Sequence, residues 1–211
     1  MIFIAYHPCY ELELPRGHRF PMDKYPMLKK QLIYEGTFSN ENFFVPKKID
    51  RNIVEKVHNK NYVQKLLTLS LNKSEIRRIG FPFNKKLIDR EMTIAGGTLE
   101  CCIRAFENGI SLNIAGGTHH AFSNKGEAFC LLNDQAIAAQ YLINKYKLKK
   151  ILIIDLDVHQ GNGTAEIFRK NKKVFTFSMH GKKNYPFQKI KSDLDVELLD
   201  GTEDQQYLDI L

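Results

Sequence analysis

The sequence predicts an α/β fold in which helices flank a parallel sheet. Three observations carry this. "ILIID" (residues 151–155) is a continuous apolar run, the pattern of a strand buried on both faces of a parallel sheet. Runs of this kind alternate with helical patterns along the chain, as βαβ units require. Polar loops rich in His and Asp follow the runs, where open parallel sheets gather their functional groups.

Each element follows from local pattern. Ile2–Tyr6 reads as the first buried strand. Its apolar run is short and lacks a basic leader, so a signal peptide is not expected. Pro26–Tyr34 reads as a short helix. Asp50 is placed to cap a helix towards Val57, and Asn61–Leu71 continues in helical period. The long helical pattern of Lys86–Asn108 ends on Gly109. Inside it, Gly96 and Gly97 each cost roughly 1 kcal/mol relative to alanine, which implies close packing or a local kink. Ser111–Ala115 is the next strand, and Asn133–Lys145 is a helix with an alanine-rich stripe. After the 151–155 strand, Thr164–Phe168 begins a helix, Val174–His180 forms another strand, and "EDQQYLDIL" (203–211) has an amphipathic helical pattern.

Composition narrows the function classes. The chain has 211 residues, 43% hydrophobic and 26% charged, and reads as a single globular domain spanning 1–211. The net charge of +7 comes from dispersed lysines without aromatic interleaving, so a solvated surface is expected and nucleic-acid binding is not. Cys9, Cys101, Cys102 and Cys130 form no CxxC pair, the usage of a reduced, cytoplasmic protein. No apolar run approaches the roughly 18–20 residues of a membrane helix.

The chemistry sits in three loops at strand ends: "GGTHH" (116–120), "DLDVHQGNG" (155–163) and "SMHGKKNYPF" (178–187). Asp155, Asp157 and His159 are spaced i, i+2, i+4, which in extended backbone puts them on one face, with Leu156 and Val158 on the other against the core. Two carboxylates and an imidazole projecting together are costly without a positive partner. A divalent ion such as Zn²⁺ satisfies them; a metal-free Asp–His hydrogen-bond network is the alternative. His119 and His120 suit proton transfer beside a metal-bound water. Asp155 could hold one imidazole in a fixed tautomer, and Asn162 could orient the other.

These motifs together resemble the zinc-dependent histone deacetylase superfamily, in its class IV and bacterial class IV-like branch. The likeness rests on "GHRFPMDKY" (17–25), "VHNKNYV" (57–63), "AGGTHHAF" (115–122), "AFCLLND" (128–134), "IDLDVHQGNGT" (154–164) and "FSMHGKKNYPF" (177–187). It implies an arginase/deacetylase-like fold, present here in part, and hydrolysis of acetyl-lysine or a related acetylated amine. Asp157 and His159 match two zinc ligands. His120 matches the general base and His119 its electrostatic partner, with Asp155 behind His119. Asp155, Ser178 and the carbonyls of Asp157, His159 and Met179 match a potassium site. Phe129 matches one wall of the tube for the acyl-lysine stem. Ala128 departs from the family's usual Gly just before that Phe, and Asn59 from its more usual Asp.

The family's third zinc ligand, an Asp, and its transition-state Tyr are not found among these motifs. Asp193 and Asp195 match a surface segment and are not expected to substitute. Two expectations follow: a zinc-dependent deacetylase, or a catalytically incompetent fragment of one (a truncated or split gene product) that binds metal weakly, folds poorly, or pairs with a separate C-terminal half. An exposed edge strand is expected with a partial sheet.

Overall fold

The computed structural model describes residues 1–211. The strands are all parallel and form two three-stranded sheets. In the first, β1 (Phe3–Ala5) lies between β2 (Phe43–Phe44) and β3 (Ser111–Asn113). In the second, β5 (Val174–Gly181) lies between β4 (Ile151–Asp155) and β6 (Leu194–Leu198). Asp155 pairs with Ser178 at the carboxyl end of β4.

The helices are α1 (Lys24–Tyr34), α2 (Arg51–Val54), α3 (Lys60–Leu67), α4 (Lys73–Ile79), α5 (Lys85–Asn108), α6 (Asp134–Tyr146), α7 (Asn162–Phe168) and α8 (Asp204–Ile210). Four of the eight, α3, α4, α5 and α6, begin on an Asn whose side chain caps the first turn. Asn133 accepts from Ala136 N at the start of α6, and Asn84 from Leu87 N at the start of α5. Asp50 sits at the N-cap of α2 but makes no side-chain cap bond. The α3 helix stops short of Leu71 because Leu69 turns to positive φ.

The main core forms around α5, whose Leu87, Ile88, Ile94 and Ala95 pack against Tyr10, Val63, Leu131 and Ile137. Close packing explains the two glycines within it. A Cβ on Gly96 would stand 1.9 Å from the carbonyl oxygen of Lys47, so the neighbouring backbone occupies the space of a side chain. The helix is unbroken there.

The second sheet corrects the expectation of a strand buried on both faces. Ile153 and Val174 pack beneath Ala136, Ala139, Ile143 and Phe168 of α6 and α7. The opposite face carries no helix: Leu152 is 56% exposed and Ile154 52%. Leu156 and Val158 are also exposed rather than set against the core, because β4 ends at Asp155 and residues 157–159 bend. Helices α6 and α7 supply one covering layer, and no second layer exists within the chain. The "EDQQYLDIL" pattern does form α8, but that helix buries none of its residues.

Candidate active site

The site is built from loops that leave β3 and β4. After β3 the chain must turn sharply, and Gly116 and Gly117 do so at φ of 116° and 67°. The turn is held from α6. The Asp134 carboxylate accepts from Gly117 N (3.2 Å), Thr118 N (2.9 Å) and Thr98 Oγ1 (2.6 Å). A Cβ on Gly116 would fall 2.5 Å from that carboxylate, so the loop wraps it too closely for a side chain. This clamp delivers His119 and His120 to the cavity with both imidazoles buried.

The two rings lie 4.1 Å apart between centroids and are held differently. His119 Nδ1 is 2.6 Å from Asp155 Oδ2, and His120 Nδ1 is 2.7 Å from Asn162 Oδ1. An amide oxygen only accepts, and it also takes a bond from Gly163 N. His120 therefore carries its proton on Nδ1 and keeps the Nε2 lone pair free. For His119, burial favours the neutral ring, but the Asp155 hydrogen bond and charge outweigh it and raise its pKa. For His120, burial and the neighbouring His119 charge lower the pKa to about 4. Such divergence is the pattern of paired acid and base groups.

Beyond β4, two turns closed by side chains replace the expected extended strand. Asp157 N donates to Asp155 Oδ1 (3.0 Å), and His159 N donates to Asp157 Oδ1 (2.8 Å). The result still brings Asp157 and His159 together: Asp157 Oδ1 lies 3.0 Å from His159 Nδ1 and 4.0 Å from His119 Nε2. Two ligands about 2.0 Å from one tetrahedral ion lie roughly 3.3 Å apart. The pair therefore fits as part of a zinc site in both donor type and spacing. No group of three His, Cys, Asp or Glu side chains converges in a metal-holding arrangement. Asp193 and Asp195 are committed elsewhere, to Thr176 and to Gln160 and Ser192.

Of the residues expected from the resemblance to hold potassium, Asp155 pairs with Ser178 across β4 and β5, and Met179 is buried beside it. Ser178 Oγ shares a 3.0 Å bond with His180 Nδ1.

His119, His120, Asp157 and His159 all face one cavity of about 850 Å³, while Asp155, Asn162 and Ser178 stand behind its wall. Phe129 forms part of its wall and touches Phe20 and Phe81 with ring centroids 5.2 and 5.0 Å away. Ala128 and Phe129 both have positive φ, at the centre of a tight turn closed by Glu127 N to Cys130 O and by the reverse bond, each 2.9 Å. The alanine thus adopts a backbone that glycine adopts without strain.

Tyr185 is a wall residue not singled out from sequence. Its ring stands edge-on to His120 at 5.0 Å and near His159 at 6.0 Å. Its hydroxyl donates to Glu127 across the cavity. The signal was its place in a strand-end loop beside the His-bearing motifs. Asp134 was missed as well, although a carboxylate just after an N-cap Asn is readable as a loop anchor.

Comparison with known proteins agrees with this geometry. The model of the histone deacetylase domain matches residues 18–211. An uncharacterized protein of Picosynechococcus sp. is 44% identical over 208 residues, covering 99% of this chain and 69% of that protein. Histone deacetylase 2 of Arabidopsis thaliana is 26% identical over 220 residues, covering 98% of this chain and 57% of its own length. The crystal structure of a histone deacetylase homolog from Aquifex aeolicus superposes with a TM-score of 0.80 at 22% identity, covering 98% of this chain and 61% of that one. The chain thus spans well under the full length of the relatives it matches.

Proposed function

The chain belongs to the histone deacetylase family, and from that premise we propose that its site serves hydrolysis of an N-acetyl amide, on acetyl-lysine or a related acetylated amine. One observation carries the reading. His120, with Nε2 free, and His119, backed by Asp155, face Asp157 and His159 across a single cavity walled by Phe129 and Tyr185.

Asp157 and His159 would hold zinc, which when bound polarises the acyl carbonyl and lowers the pKa of water. The chain's own residues do the rest. His120 Nε2 accepts a proton, and Asn162 keeps the ring oriented without adding charge. His119, held by Asp155, supplies positive charge beside the reacting centre. Phe129 and Tyr185 confine an apolar stem such as the lysine methylenes. Asp155 and Ser178 are proposed as part of a potassium site behind the imidazoles.

A second reading is of a chain that folds without turning over. The two-donor set favours it, since a catalytic zinc site normally has three protein ligands. Zinc titration together with an acetyl-lysine peptide assay separates the two. Zinc-dependent turnover that His120→Ala abolishes supports the enzyme. Folding and weak zinc binding without turnover support the second reading.

A further inference from the structure

Two carboxylates line the cavity, Asp157 and Glu127, and hydrolysis as proposed gives Glu127 no part. Its backbone is locked, since Glu127 N donates to Cys130 O and Cys130 N to Glu127 O, each at 2.9 Å. Its carboxylate takes one bond from Lys125 Nζ at 2.8 Å and another, across the cavity, from the Tyr185 hydroxyl. Burial favours the protonated acid, but those two bonds, the Lys125 charge and the Asn162 side chain together hold its pKa below the ordinary value. Glu127 is therefore a fixed anion with Asn162 beside it.

Asn162 is the residue that orients His120, and it is 3% exposed. Its Oδ1 accepts from His120 Nδ1 at 2.7 Å and from Gly163 N at 3.0 Å. A buried amide must also place its Nδ2 hydrogens on acceptors. The two ends of an amide are alike in shape, so its partners alone decide which end faces His120. Turned over, Asn162 would present Nδ2 to His120 Nδ1. That nitrogen would then have to accept, and the ring proton would sit on Nε2, removing the free lone pair. Gly163 N disfavours the turned amide from one side. An anion beside the Nδ2 end disfavours it from the other, through a charge-assisted bond.

Glu127 reaches the same ring by a second route. Tyr185 stands edge-on to His120, with 85° between the ring planes and 5.0 Å between centroids, and its hydroxyl ends on Glu127. One carboxylate thus braces the imidazole at Nδ1 through Asn162 and at its flank through Tyr185. We propose that Glu127 is a positioning residue for His120: its carboxylate sets which way Asn162 faces and anchors Tyr185, so that the imidazole keeps its proton on Nδ1 and its lone pair on Nε2. Glu127 acts through these neighbours and not on the reacting atoms. The inference rests on the amidohydrolase reading only in naming His120 as the base.

The test follows the His120 tautomer by two-bond proton–nitrogen NMR on the full chain, its histidines labelled with ¹⁵N, at neutral pH and without zinc. The His120 signals are identified by their loss in His120→Gln. In the parent, Nδ1 is expected to be protonated and Nε2 bare. Glu127→Ala is expected to raise the Nε2–H share roughly tenfold, the weight of one charge-assisted hydrogen bond. Glu127→Gln, which keeps the bulk and loses the charge, should move the tautomer in the same direction, and it decides the matter if Glu127→Ala fails to fold. A parent ring already protonated on Nε2, or a tautomer unmoved in the folded variants, overturns the positioning role. Hydrolysis of an acetyl-lysine peptide with added zinc is read separately. Turnover that falls together with the tautomer shift supports both readings. The shift without any turnover by the parent supports the positioning role and overturns the hydrolase reading. Parent turnover that survives the shift overturns His120 as the base.

Discussion

His119 and His120 are neighbours in sequence with rings 4.1 Å apart, yet a carboxylate holds the first and an amide holds the second. Side chains that are alike in isolation are thereby pushed to opposite sides of their ordinary pKa. His120→Ala is expected to lower kcat/KM on an acetyl-lysine peptide by about 10²–10⁴-fold. A fall of less than tenfold would show that another group takes the proton.

The Ala128 backbone gives a cleaner expectation, one of stability rather than rate. Its φ of 45° is a left-handed conformation that costs an L-residue roughly 1–2 kcal/mol. Ala128→Gly relieves that strain, and the greater freedom of glycine in the unfolded chain offsets part of the gain. A net stabilisation of about 1 kcal/mol is expected, seen as a higher urea midpoint at unchanged m-value. A lower midpoint would mean that the alanine methyl contributes packing that outweighs its strain.

Asp134 should behave in the opposite sense. Asp134→Ala strips acceptors from Gly117 N, Thr118 N and Thr98 Oγ1 at once. An unsatisfied buried donor costs about 1–3 kcal/mol, so a loss of roughly 3 kcal/mol or more is expected in denaturant titration. A loss under 1 kcal/mol would show that water replaces the carboxylate.

His58 makes folding sensitive to acid. Its Nε2 accepts from Asn133 N and its Nδ1 donates to Phe122 O, so the native ring is neutral. Burial lowers its pKa to about 4 from the ordinary 6.5. Between those values the unfolded chain binds a proton that the folded chain does not, so stability falls as pH drops from about 6.5 to 4. The contribution is on the order of 3 kcal/mol. Urea midpoints measured across that window should slope downward with acid in the parent and less steeply in His58→Asn. Parallel slopes would remove His58 as the source.

The bare face of the second sheet should be visible in solution. Leu152, Ile154, Leu156, Val158 and Phe175 are all exposed. Apolar surface of this extent favours association. The chain is expected to bind a hydrophobic dye and to self-associate in sedimentation, and Leu152→Lys with Ile154→Glu should reduce both. A monomeric, dye-silent parent would contradict the exposed face.

The chemistry was more legible in the sequence than the layering. Paired imidazoles after glycines, and carboxylates after a continuous apolar run, mark strand ends, because few other environments support such clusters. The long helix and its Gly109 stop followed from period and cap. By contrast, β6 was overlooked although its LDVEL alternates apolar and charged residues with the period of a strand. The α4 helix was overlooked despite a capping box between Asn72 and Glu75. The exposure of Leu152 and Ile154 was unreadable, since a continuous apolar run has the same spelling whether one face or both are covered. Tyr185 acquires its meaning from a contact with Glu127, 58 residues away.

The turn that carries Phe129 has a wider reach than its own geometry. Ala128 N donates to Arg78 O at 3.0 Å, and Phe129 N donates to Ile79 O at 2.7 Å. The aromatic wall is thus bolted through its backbone to the last carbonyls of α4, fifty positions earlier in the chain. The bore of the cavity is therefore set by residues 78–80 as much as by the ring that lines it. Grafting the "EAFC" segment into another scaffold would transfer the phenyl group but not its placement. Variation at Ile79 or Gly80, neither of which lines the cavity, can in turn resize it.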